Sequence, residues 1–160
     1  MNWEAIGAVS EIVGALSVLA TLLYLALQIR QSNRIAFVTT EVEIRNNFSA
    51  MNEALMGNSD VIALLARLED ENVELSREDL LRAELWWNRL LNGWIAAETA
   101  FDNGMLPQGS YDVVLNDIKA VIARFPGARP LFHNALKTFP ALATYNVFTY
   151  IGEQLEINEH

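Results

Sequence analysis

From Ala5 to Ile29 the chain carries one charged residue, Glu11, and from Ile12 to Ile29 it carries none. No other stretch constrains the fold so strongly. A helix of about 18 to 20 mostly apolar residues spans a hydrocarbon core of roughly 30 Å, with every backbone polar group bonded inside the segment. Trp3 stands where an interfacial aromatic belongs, and Arg30 and Arg34 follow the run directly. A cleaved signal peptide needs a basic leading region, whereas this chain offers Glu4 and no Lys or Arg there. A buried core helix is rarely this long and this free of charge. The expectation is a transmembrane helix over residues 1–29. The arginines Arg30, Arg34 and Arg45 lie on its C-terminal side, so the positive-inside rule places Met1 outside and residues 30–160 in the cytoplasm.

Within the span, Gly7, Ser10, Gly14, Ser17, Thr21, Tyr24 and Gln28 recur at steps of three and four. On a helix this puts the small and polar residues on one stripe, and the register continues to Ile35, Val38 and Val42. Sustained alternation of this kind matches left-handed helix packing. In lipid, small residues allow close backbone approach and hydroxyls can bond across the contact. The stripe therefore reads first as an oligomer interface or a face for another membrane protein. A pore lining in a higher oligomer is a second reading, and chance a third, since Gly, Ser and Thr are common in membrane helices. Glu11 flanks the stripe. An ionisable residue inside a span is a candidate proton or cation site, against the alternative that it reaches the outer headgroups.

Composition narrows the rest. The 160 residues are 52% hydrophobic, with 11 basic and 20 acidic side chains and a net charge of -9, which argues against nucleic acid as a partner. Without cysteine there are no disulfides, thiolate nucleophiles or cysteine zinc sites. Two histidines leave little for metal or acid–base chemistry, and no cofactor is expected. Phosphate-loop, dinucleotide, nucleophile-elbow and zinc-protease motifs are all missing.

After Arg30 no segment alternates with period two, so the remainder reads as helices only. A stalk over 30–56 carries Phe37, Ile44, Phe48, Met51 and Leu55 on one stripe. Gly57-Asn58-Ser59 breaks it, Ser59 is the expected N-cap of the next helix, and a cytoplasmic helical domain covers 57–160. Leu64, Leu65 and Leu68 give the next helix a packing face, and Glu69-Asp70-Glu71-Asn72 ends it in a solvated turn. Ser76-Arg77-Glu78-Asp79 resembles a capping box and opens the longest cytoplasmic helix, which runs to about Asn103 with Gly104 as its stop. Leu80, Trp87, Leu91, Trp94 and Phe101 share a face there with Glu84 and Glu98. Two carboxylates among aromatics are candidates for proton transfer, or else are held by arginines of neighbouring helices or by water. Ser110 is the expected cap of a helix over 111–125. Arg124 and Arg129 bracket a Pro-Gly loop, either to grip an anion or to pair with the acidic surface. A short helix to about Lys137 carries His133, read as a packed or half-exposed side chain, and a last helix covers 141–156.

The segments Trp3-Glu-Ala-Ile-Gly-Ala8, Glu11-Ile-Val-Gly-Ala15 and Tyr24-Leu-Ala-Leu-Gln-Ile-Arg-Gln-Ser-Asn-Arg34 resemble a broad group of uncharacterised bacterial proteins with one N-terminal span and a cytoplasmic helical domain. The resemblance continues through Trp87 and Trp94, Phe125-Pro-Gly-Ala-Arg129, Phe139 and Tyr145. Where that group tends to have tryptophan after the Pro-Gly-x-Arg element, this chain has Leu131-Phe132. The resemblance implies topology, and no activity or catalytic residue comes with it. The resulting expectation is an all-α, single-pass protein of a bacterial inner membrane, acting as an oligomerising scaffold or accessory subunit of a membrane complex. A small homo-oligomeric ion channel and a membrane-tethered enzyme using Glu84 and Glu98 are the alternatives.

Overall fold

The computed structural model describes residues 2–158, less the side chains of Ala5, Leu136, Ile157 and Asn158, so Met1, expected outside the membrane, lies outside the described residues. The fold is all-α, as expected, with no strand among the described residues. Six α-helices follow in order: α1 (Trp3–Met56), α2 (Ser59–Leu68), α3 (Arg77–Asp102), α4 (Gln108–Arg124), α5 (Arg129–Thr138) and α6 (Asn146–Asn158). Short 3₁₀ segments at Pro126–Ala128 and Pro140–Thr144 precede α5 and α6. The chain divides into two units, with the boundary between Thr39 and Thr40.

From Trp3 on, the N-terminal unit is helix alone. No Gly–Pro or Pro interrupts it, and its most apolar window is long enough to cross a membrane and has no buried residue. Here side chains that water would reject stay uncovered by the chain itself.

The second unit packs around α3, which contacts α2, α4, α5 and α6. Trp87, Leu90, Leu91, Trp94 and Ala97 are buried on it, and Trp87 and Trp94 meet edge to face at 5.9 Å. Fully burying a side chain of that size contributes roughly 1.5–3 kcal/mol before its entropy is counted. Leu80, expected on this face, is 40% exposed, and the buried neighbour is instead Trp86, at 8%. Apolar positions one turn apart drift around the helix, so Ala83 and Trp86 take the place that an exact heptad would give Leu80. The expected stalk also divides differently. Ile44, Phe48, Met51 and Leu55 pack on the core, so the compact unit starts near Thr40 and includes the last turns of α1.

Local signals set most helix ends. Ser76 caps α3, its Oγ accepting from the Asp79 backbone N–H at 3.1 Å. At the other end, Gly104 adopts φ +67 and donates to the Phe101 carbonyl, while Met105 N–H reaches back to Ala100 at 2.8 Å. That pair of bonds is the Schellman arrangement, which a residue with a Cβ enters only under strain. Two expected caps are displaced. Asn58, not Ser59, caps α2, since its Oδ1 accepts from the N–H groups of Asp60 and Val61. The N-cap of α4 is Pro107, which places Ser110 inside the first turn. Gly127 fits where nothing larger does: a Cβ there would lie 2.5 Å from the Asp70 carbonyl oxygen and 2.7 Å from Val73.

Candidate functional site

Every residue of the small and polar stripe in α1 is exposed, from Gly7 through Gln28 and on to Ile35, Val38 and Val42. Its hydroxyls fold back onto the helix that carries them. Ser10 Oγ donates to the Ile6 carbonyl at 2.9 Å, Ser17 Oγ to Val13 at 2.8 Å and Thr21 Oγ1 to Ser17 at 2.8 Å. Gln28 Nε2 donates to the Tyr24 hydroxyl at 2.8 Å. The first three bonds make that part of the stripe compatible with hydrocarbon, because the Ser10, Ser17 and Thr21 hydroxyl hydrogens already have acceptors. A Cβ built on Gly7 or Gly14 meets no atom within 4 Å, so the notch at each glycine is open to an approaching helix. Glu11, beside Ser10, is exposed as well.

The two carboxylates of α3 do not share a site. They sit 14 positions apart on one helix, which separates them by about 21 Å. Glu84 is half-buried and lines a cavity of about 140 Å³ with Trp87, Asn134 and Thr138. Glu98 is 2% exposed and is spent on backbone: Oε1 accepts from Asn146 N–H at 2.7 Å and Oε2 from Val147 N–H at 2.7 Å. The Asn146 side-chain amide adds a third bond to Oε1 at 3.1 Å. A carboxylate at a helix N-terminus meets both orphan donors and the positive end of the dipole. Burial, followed by the charges of Glu98 and Asp102, pushes the Tyr111 hydroxyl up to about 12. The sequence suggested arginines of neighbouring helices or water as partners of Glu98; the first turn of α6 supplies its donors instead.

The arginines around the Pro-Gly loop pair with the acidic turn after α2. Arg124 Nε lies 3.0 Å from Glu69 and an Arg129 guanidinium nitrogen 3.3 Å from Glu71. His133 is exposed and its ring meets Phe132 at 5.7 Å. Among the described residues no group of three or more acidic or histidine side chains is placed to hold a metal ion.

A cleft of about 640 Å³ lies in the second unit, a volume typical of small-molecule sites. One wall is the end of α1, with Ile44, Phe48, Met51 and Leu55; the other is α4, with Val113, Val114 and Val121. Trp86 and Leu90 of α3 form the floor. Phe48 can lie against α3 because Gly93 stands opposite: a Cβ there would come within 3.2 Å of the ring. At one end Ser110 Oγ donates to Glu41 at 3.0 Å, and on the α4 side Asp117 accepts from Trp94 Nε1 at 2.9 Å. The apolar stripe of the stalk signals one wall in advance. Trp86, Ser110 and Asp117 carry no such signal, because their neighbours in the cleft come from other helices.

No protein-family model, no curated protein and no solved structure matches the chain.

Proposed function

We propose that the chain is a single-pass protein of a bacterial inner membrane that self-associates through the stripe of α1 and holds its helical unit on the cytoplasmic side, as a scaffold or accessory subunit of a membrane complex. The observation that carries this reading is the state of the stripe: exposed along its whole length, with its Ser10, Ser17 and Thr21 hydroxyls bonded within the helix, and notched at Gly7 and Gly14. A membrane helix with such a face gains packing by bringing a second backbone close, with the serine and threonine hydroxyls already bonded. The acidic N-terminal flank and Arg30, Arg34 and Arg45 support the N-out orientation. The resemblance to single-span bacterial proteins supports the same topology. Placing the stripe between helices also favours a packed contact over a pore, since its hydroxyl hydrogens point back to their own carbonyls.

The test is native mass spectrometry of the full-length protein released from mild detergent. Gly14→Leu and Ser17→Leu close the notch and are expected to yield monomer where the parent gives an oligomer. An unchanged mass in both variants overturns the reading.

A further inference from the structure

Arg30 and Arg34 close the charge-free run of α1, and neither meets a carboxylate among the described residues. Arg45, Arg67, Arg82, Arg124 and Arg129 all do; Arg45, further along the same helix, lies 3.3 Å from Glu41. No acidic residue stands between Glu11 and Glu41, so the helix around Arg30 and Arg34 has none to offer them. The two are one turn apart and both exposed, and like charges at that spacing repel. An anion held between them turns the repulsion into a two-sided contact, and planar guanidinium groups match phosphate oxygens in geometry.

Their place on the helix selects the anion. Ile12, Leu16, Leu19, Leu23 and Leu27 follow one another at steps of three and four, and the same steps lead on to Arg30 and Arg34. All five apolar residues are exposed. A helix turns about 100° per residue, so the arginines lie roughly 120–160° around the axis from Gln28 and its small and polar stripe. A second helix seated on that stripe therefore leaves the leucine face to lipid. From Ile12 to Ile29 the helix rises about 26 Å, which puts Arg30 at the edge of the hydrocarbon and Arg34 about 6 Å further out. The headgroup layer there is about 5 to 7 Å thick. Cα–Cβ bonds of a helix tilt toward its N-terminus, so both arginine stems start back toward that layer. Resting on the reading of α1 as a bilayer span, we propose that Arg30 and Arg34 together bind the phosphate of an anionic phospholipid, whose acyl chains lie along Leu19, Leu23 and Leu27. A phosphatidylcholine head group carries its own cation beside the phosphate, so the pair favours a lipid of net negative charge.

The full-length protein in mild detergent is titrated with phosphatidylglycerol or with phosphatidylcholine of the same acyl chains, and bound lipid is counted by native mass spectrometry. Detergent has no sides, so a change of orientation in the membrane cannot imitate the result. Phosphatidylglycerol is expected to bind at least about tenfold more tightly, a factor that two arginines at a phosphate account for. Arg30→Gln combined with Arg34→Gln is expected to bring the two lipids within about threefold of each other. Arg77→Gln combined with Arg89→Gln removes two exposed arginines of α3 and is expected to keep the preference. Equal binding of the two lipids by the parent overturns the inference. So does a preference that survives the loss of Arg30 and Arg34, or that falls as far with the α3 pair. Carbonate washing of membranes separates this inference from the span on which it rests. Parent protein that stays with the membranes yet shows no lipid preference overturns the inference alone, and parent protein released by the wash overturns the span reading with it.

Discussion

Glu98 of α3 caps the first turn of α6, its two carboxylate oxygens each 2.7 Å from a backbone nitrogen, those of Asn146 and Val147. The contact ties together two helices that are 48 residues apart in sequence. Glu98→Ala leaves both N–H groups without their acceptor, and losing a partner inside the fold costs about 1–3 kcal/mol per group. A loss of roughly 2–4 kcal/mol is expected, read as a lower denaturation midpoint by tryptophan emission. Glu98→Gln keeps one acceptor oxygen and is expected to lose about half as much. Equal stability of the parent and Glu98→Ala contradicts the capping role.

Gly127 and Gly152 make a matched pair. An added Cβ at Gly127 collides with the Asp70 carbonyl and Val73, whereas at Gly152, within α6, it meets nothing within 4 Å. Gly127→Ala forces backbone apart and is expected to destabilise by about 2–4 kcal/mol. Gly152→Ala removes chain entropy in a helix and is expected to stabilise by about 0.5–1 kcal/mol. Chemical denaturation of both variants beside the parent checks the difference in sign.

Tyr111 is held protonated by burial and by the charges of Glu98 and Asp102, with its hydroxyl raised from 10.0 to about 12. The folded state therefore keeps a proton that the unfolded chain gives up. The stability this represents is intact below pH 10 and is lost as pH rises toward about 12. Tyr111→Phe should flatten this alkaline fall in the denaturation midpoint; an unchanged alkaline limb in the variant rules out the assignment.

Asp79 behaves oppositely. Hydrogen bonds from Arg67 and then from Ser76 hold its carboxyl below its ordinary value of 3.8. Its contribution is present above that value and is lost as pH falls through the depressed one. Asp79→Asn should weaken the acid dependence of stability and loosen the start of α3, which amide exchange at Leu80 detects. Identical acid limbs in the two proteins would show that the pairing has no energetic weight.

The contrast between Asp79 and Glu98 shows what is legible in this sequence. Ser76 and Asp79 act within one turn, so their spacing announces them, as Gly104 and the prolines announce helix ends. The charge-free run announces the long apolar helix for the same reason. Glu98 looks like an unpaired carboxylate on an aromatic face until the first turn of α6 arrives beside it. Ser110 has the chemistry of a cap, yet Pro107 starts the helix earlier and turns the Ser110 hydroxyl toward Glu41, 69 positions away. The cleft is invisible in sequence because its lining comes from four helices distant in the chain, each of which shows only an ordinary apolar stripe.

Topology has its own test, since the chain contains no cysteine. Single substitutions Glu4→Cys and Asn52→Cys are placed before and after the span. In intact spheroplasts a membrane-impermeant maleimide is expected to label Glu4→Cys alone, and labelling of Asn52→Cys alone reverses the orientation.

The same absence of cysteine makes the stripe directly readable by scanning single cysteines from Ser10 to Tyr24 and oxidising the membranes. Self-association through the stripe predicts that disulfide-linked dimers peak at Ser10, Gly14, Ser17 and Thr21, with Ile12, Leu16, Leu19 and Leu23 crosslinking weakly. Crosslinking that is flat along the helix, or that peaks on the leucine face, contradicts it.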